Sequence, residues 1–350
     1  MPSKSKKIHI SCYPSSQAIE VKNNLINLYD SSDKFHELTT NPETADLILI
    51  GQPGNERKRS DYLREITNNS LLERYPEKCF AVSFFRDNHL FLTRGVYESG
   101  IKSFLLKNRI RSGCYIPDSF NPVIKNIIKD KRSVHTLNKK FLFSFVGRNS
   151  HKIRAKIFLM KFSRKDVHIE DTSSFNVWDE SITDDHWRFE HYKDVLLKSK
   201  FSLCPRGFGP GSIRLFESMS LGVSPVIISD EWKLPKGPKW EDFSIVIKKK
   251  DLVHLESIIS SYEDKFEMMG REAKKAYDKY FSEDNYFNYV ISECNQIMNS
   301  SGLPESIHWK LRTFYVKYFL SAKWLQTRKN KLYRLTVLLF EKMKKLLIIK

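Results

Sequence analysis

Short apolar runs alternate with stretches in which apolar residues recur every three or four positions, and this alternation continues through the body of the chain. Runs of the first kind fit strands and those of the second fit amphipathic helices, so the pattern predicts α/β layers. Strands are expected at 7–12, 46–51 and 78–85, with a helix over 17–29. A polar, charged stretch without periodicity at 129–140 marks a linker. A continuous apolar run at 141–146 then reads as a buried parallel strand. After it come helices over 152–162 and 187–198, a strand at 201–204, a helix over 212–221, and strands at 224–229 and 243–247. No internal repeat suggests a solenoid or propeller.

At 350 residues the chain is long enough for two such units. The expected domains are 1–135 and 140–303, two Rossmann-type α/β halves facing across a cleft, followed by a tail at 304–350. Apolar residues at 41% and aromatics at 13% exceed what a disordered chain carries. Five cysteines, with no Cys-x-x-Cys pair and no zinc-type histidine spacing, predict reduced and mostly buried thiols. The first residues hold no apolar stretch of signal-peptide length, which points to a cytosolic, bacterial setting.

Charge refines this picture. The net charge is +18, and from residue 305 to 350 there are twelve Lys/Arg against two Asp/Glu, so the tail alone carries ten of those charges. The folded body lacks a recognisable nucleic-acid reading module, so no nucleic-acid partner is expected. Within the tail, Leu332, Leu335, Leu339, Met343 and Leu346 fall at helical spacing, with Lys331, Arg334, Lys342 and Lys345 largely off that stripe. A helix of this kind suits the surface of an anionic membrane on the cytoplasmic face, and no run approaches the length of a spanning helix.

The chemistry concentrates in residues 199–247. A strand ending at Cys204 runs into Pro205-Arg206-Gly207-Phe208-Gly209-Pro210-Gly211, and a helix opens at Ser212. Three glycines in five positions permit close backbone approach, and the helix amides beyond them form an anion site suited to phosphate. Arg206 and Arg214 add cationic forks that match phosphate oxygens. Glu217, three residues beyond Arg214 on the same face, suits ribose hydroxyls. The plainer alternatives are a turn-forming glycine loop and a surface Arg214–Glu217 pair. Absence of Gly-Lys-Ser/Thr excludes a P-loop.

The same residues resemble the exostosin-like glycosyltransferases, family 47. The resemblance lies in Cys204-Pro205-Arg206-Gly207, Ser212-Ile213-Arg214-Leu215-Phe216-Glu217, Gly222 with Pro225-Val226-Ile227, Ser229-Asp230, and Trp240 with Phe243-Ser244. Weaker similarity covers 141–148 with Arg154, and the first half is matched thinly, through 83–87 and Arg94-Gly95-Val96-Tyr97. The resemblance implies a GT-B-like fold and an inverting, metal-independent hexosyltransferase that uses a nucleotide-sugar donor, with UDP-sugars favoured. It puts Glu217 at the ribose and Arg206, Gly207, Ser212, Arg214, Gly147, Arg148 and Arg154 around the diphosphate. Asp87, after a strand of the first half, is expected as the base, with His89 and Glu98 as rivals.

The chain has no Asp-x-Asp, and Asp184-Asp185-His186 has no further ligand at suitable spacing, so neither metal nor cofactor is expected. Trp178 and Trp187 flank an acidic segment and offer either sugar-stacking faces or packing. The implied acceptor is a cell-surface glycan or a lipid-linked glycan, with polysaccharide biosynthesis as the setting. The alternatives are a GDP-fucose-dependent fucosyltransferase-like enzyme of the same fold, and a non-catalytic lipid- or nucleic-acid-binding protein on a transferase scaffold.

Overall fold

The computed structural model describes residues 4–52, 66–84, 93–101, 108–115, 121–130, 138–174, 186–300 and 302–312. In the first half, strands are β1 (Lys7–Cys12), β2 (Glu37–Leu38), β3 (Leu47–Gly51), β4 (Cys79–Ser83), β5 (Gly95–Tyr97), β6 (Gly100–Ile101) and β7 (Ile110–Ser112). All except β6 form one parallel sheet in the order β2-β1-β3-β4-β5-β7. β3 and β4 are buried along their whole length, which matches their unbroken apolar sequences. The helix Ser16–Ser31 opens on Ser15, whose hydroxyl accepts from the Ala18 amide, and buries Ala18, Val21, Leu25 and Leu28.

The second half contributes β8 (Phe141–Gly147), β9 (Val167–Asp171), β10 (Ser199–Pro205), β11 (Ser224–Ile228), β12 (Trp232–Lys233) and β13 (Ile245–Val246). Its parallel sheet runs β13-β11-β10-β8-β9. The chain leaves β8 toward the β9 edge and returns to lay β10 on the other side, so the strand order reverses between β8 and β10. Ligands of open α/β sheets bind at the carboxyl ends of the strands beside such a reversal. Two parallel α/β sheets in one chain match the two halves expected from the pattern and the GT-B-like fold that the resemblance implies.

Several expected elements are shorter than the pattern suggested. The helix at Lys152 ends at Leu159, and the strand expected over 243–247 is Ile245–Val246. β9 was missed because its sequence, Val-His-Ile-Glu-Asp, lies half-exposed at the sheet edge and lacks an apolar run. β6 and β12 are two-residue strands that pair antiparallel across the halves, a contact no local pattern announces.

The C-terminal helices tie the halves together. Phe266–Tyr280 packs on the second sheet, whereas Glu283–Met298 lies against the helix Ser16–Ser31 and against β5 and β7. One continuous apolar cluster therefore runs from Ile8 and Phe80 of the first half to Phe216, Trp240 and Phe281 of the second. The Tyr286 hydroxyl accepts from the Cys114 amide at 2.8 Å, and Arg111 meets Glu293 at 3.2 Å in a buried ion pair. Among the described residues no helix is long and apolar enough to cross a membrane. The tail beyond residue 312 and its expected surface helix lie outside the described residues.

Candidate functional site

Two loops meet at the strand reversal, Gly147-Arg148 after β8 and Arg206-Gly207 after β10, and Arg154 locks them together. Its side chain is buried, with Nε donating to the Arg206 carbonyl at 3.0 Å, Nη1 to the Arg148 carbonyl at 3.2 Å and Nη2 to the Pro205 carbonyl at 3.0 Å. Its guanidinium also stands over the Phe145 ring. Arg154 thus fixes the spacing of the two loops through its donors.

Arg214 approaches from the helix Ile213–Ser220. Its Nε donates to the Val146 carbonyl at 2.8 Å, and its guanidinium lies between the rings of Phe145 and Tyr192. A Cβ at position 147 would come within 2.5 Å of Arg214 Nη2, so Gly147 leaves the space this guanidinium occupies. Arg148 is exposed at the rim. Arg206 pairs with Glu231 at 2.6 Å and donates to the Phe208 carbonyl, while its buried Nε has no hydrogen-bond partner.

Ser212 is the N-cap of the Arg214 helix, yet its hydroxyl makes no capping bond. Its Oγ is buried and without a partner, an arrangement that normally costs about 1–3 kcal/mol. An unpartnered hydroxyl and an unpartnered guanidinium N–H therefore share the loop that opens this helix, the chemistry of an anion site. His151, the N-cap of the helix Lys152–Leu159, accepts from the Ile153 amide through Nδ1. Burial, with Arg206 and Lys152 nearby, lowers its pKa to about 4, so it adds no charge to this cationic corner.

Glu217 is 3% exposed. Oε1 accepts from the Asn121 amide at 2.8 Å and Oε2 from the Tyr192 hydroxyl at 2.7 Å. Burial raises its pKa against the opposing effects of Asn121, Tyr192 and Arg214. The carboxylate expected at a ribose is thus held by protein donors, and a sugar hydroxyl would have to share or displace them. Tyr192 and Asn121 were invisible in the sequence because each reaches Glu217 from a separate element.

Across from the loop, β5 is followed by Glu98-Ser99. Glu98 is buried, and both of its oxygens accept from Ser99. Ser99 and Trp232 close on Gly211, where a Cβ would meet Ser99 Cβ at 2.9 Å. The first half therefore brings Ser99 against the glycine loop, with the Glu98 carboxylate bonded to that serine. Asp87 and His89 lie outside the described residues, as do Trp178 and the Asp184-Asp185 pair. Trp187 is exposed at the start of the helix His186–Leu197.

Comparison with known proteins places this loop within a stretch that has relatives. Residues 108–262 match the Exostosin GT47 domain. That stretch, somewhat less than half of the chain, is similar to an exostosin-type GT47 domain. The match takes in both loops, the Ser212–Glu217 segment and β7 of the first half. A probable glucuronosyltransferase of Oryza sativa subsp. japonica is 40% identical over 74 residues, 21% of this chain and 17% of that protein. The Exostosin-1 homolog of Caenorhabditis elegans is 34% identical over 100 residues, 28% of this chain and 26% of the relative. The chain thus spans about a quarter or less of the length of these relatives.

Among solved structures, the alpha-glucosyltransferase AGT in complex with UDP aligns over 85% of this chain and 100% of its own, at 11% identity and a TM-score of 0.43. Anabaena HepE in complex with UDP aligns over 83% and 98%, at 10% identity and a TM-score of 0.37.

Proposed function

We propose that this GT47-like domain transfers a hexose from a nucleotide-sugar donor, with UDP-sugars favoured, to a hydroxyl of a cell-surface or lipid-linked glycan. The observation that carries the reading is the unpartnered Ser212 hydroxyl and Arg206 Nε on the loop that opens the Arg214 helix. A diphosphate seated there satisfies both donors, with the helix amides, Gly207 and the Arg214 fork around it. Arg148 covers the outer oxygens, Gly147 keeps Arg214 in place, and Arg154 acts as a positioning residue. Glu217 receives the ribose hydroxyls by sharing the lone pairs now used by Tyr192 and Asn121.

In the inverting reaction the acceptor oxygen attacks the anomeric carbon as the bond from that carbon to the diphosphate oxygen breaks. The electron pair leaves on the nucleoside diphosphate, whose charge grows against fixed donors without reorganisation or metal assistance. The acceptor proton passes to a carboxylate of the first half. Asp87 is the proposed base, and Glu98 is the alternative, a buried carboxylate bonded to Ser99, the residue that meets Gly211. The basic tail at 304–350 would hold the enzyme at an anionic inner membrane surface of a bacterial cytoplasm, near a lipid-linked acceptor.

Thermal stabilisation by UDP-, GDP-, CMP- and dTDP-sugars without metal tests the donor. UDP-sugars should raise the melting temperature, and Ser212→Ala and Arg214→Lys should each weaken that effect, Arg214→Lys by about tenfold or more in Kd through loss of the planar fork. Stabilisation by GDP-fucose alone would favour the fucosyltransferase-like reading. No response to any nucleotide sugar would overturn the proposal in favour of a non-catalytic scaffold. Asp87→Asn and Glu98→Gln then separate the two bases, since the base variant should lose kcat while keeping nucleotide affinity.

A further inference from the structure

The second sheet carries a cluster of potential metal ligands at its edge. His168 and Glu170 are two positions apart on β9 and so share one face of that strand. His191 comes from the helix His186–Leu197 and points at the same carboxylate oxygen. His168 Nε2 lies 3.1 Å and His191 Nε2 2.7 Å from Glu170 Oε2. One ligand atom from each of the three residues lies within 4.8 Å of the others. All three side chains are partly exposed, at 28%, 34% and 40% for His168, Glu170 and His191.

We propose that His168, Glu170 and His191 bind a divalent transition-metal ion, zinc foremost, which fastens the helix His186–Leu197 to the edge strand β9. Two imidazole nitrogens and one carboxylate oxygen form a ligand set suited to zinc, whereas calcium and magnesium prefer all-oxygen shells. Three protein ligands leave the outward position to water. In the metal-free state each Nε2 can hold a proton that it donates to Glu170. Metal binding replaces these contacts: each neutral ring shifts to the tautomer with its single proton on Nδ1, the Nε2 proton leaving to solvent and Nδ1 taking one from it, so that the Nε2 lone pair faces the ion.

The position couples this ion to the neighbouring site. Glu170 is in register with Val146, whose carbonyl receives Arg214 Nε, and His191 immediately precedes Tyr192, which donates to Glu217. The ion would be a positioning element for Tyr192, with no part in carrying the diphosphate. This assignment stands whether or not the proposed transfer reaction is correct.

Zinc alone, titrated against a chromophoric chelator, tests the site in the full chain. One equivalent should bind and raise the melting temperature, and cobalt substitution should give visible bands of histidine coordination. His168→Gln and His191→Gln remove ligands from separate elements, and each should weaken zinc binding by at least about tenfold. His186→Asn removes the exposed histidine that faces Glu190 on the same helix and should leave affinity unchanged. Wild-type protein that binds no zinc would overturn the proposal, as would undiminished binding in the two ligand variants or loss of binding in His186→Asn. Should either ligand variant fail to fold, the other variant and the cobalt spectrum of the wild type still decide the matter.

Discussion

Arg154 and Arg214 bring the same charge to the same end of the second sheet, and their partners divide their tasks. Arg154 spends its guanidinium on the carbonyls of Arg148, Pro205 and Arg206, while Arg214 uses Nε on Val146 and lies with Nη2 beside Gly147. Glu217 shows why residue type alone did not settle geometry: its place in the motif was legible, but its Asn121 and Tyr192 partners were not. Its raised pKa has a testable sign. Burial disfavours the carboxylate, so the stability associated with Glu217 is fullest below the ordinary glutamate pKa and is lost as pH rises through the folded value. Glu217→Gln should therefore equal or exceed wild type in denaturant stability at pH 7–8, lose that advantage below about pH 4.5, and bind nucleotide sugar more weakly throughout. Paired denaturation and nucleotide titrations across pH check both parts.

At the scale of the element, the helix Ile213–Ser220 is set by its two ends. It begins at Ser212 without a side-chain cap and ends in a Schellman motif. In that motif Val223 donates to the Ser218 carbonyl at 2.8 Å and Gly222, at φ +70°, to the Met219 carbonyl at 3.1 Å. Gly222→Ala should cost about 1–2 kcal/mol through the left-handed backbone, read as a lower denaturant midpoint at unchanged m. Such an end was legible in the sequence from the glycine after an apolar helix. Edge strands such as β9 and β12 were not, because they are held by pairing partners distant in sequence and lack an apolar run of their own.

At the scale of the whole molecule, the halves are joined by helices that cross back over the first sheet. The Arg111–Glu293 pair lies in this junction, and burial raises the Glu293 pKa while Arg111 opposes it. Glu293→Ala strands a buried guanidinium and should cost about 3–5 kcal/mol, whereas Arg111→Met combined with Glu293→Leu should recover most of that loss in equilibrium unfolding. The helix Glu305–Lys310 docks through Glu305 onto Arg109 and Arg94. Beside it, burial together with Arg109 and Arg94 lowers the His308 pKa to about 3. A depressed pKa means that its contribution is present above the ordinary histidine value near 6.5 and is lost as pH falls toward the folded value. Wild type should therefore lose more melting temperature than His308→Gln between pH 7 and pH 4.

The sequence by itself determined the α/β class, the buried parallel strands and the loop-and-helix motif, because each of these rests on neighbours within about twenty residues. Tertiary structure decided what the motif's side chains touch. Arg154 became a brace, Glu217 acquired protein partners, Ser99 met Gly211, and His168, Glu170 and His191 gathered at one edge. Those contacts join residues from separate strands and helices, and only the packing of the two sheets and their crossing helices brings them within bonding distance.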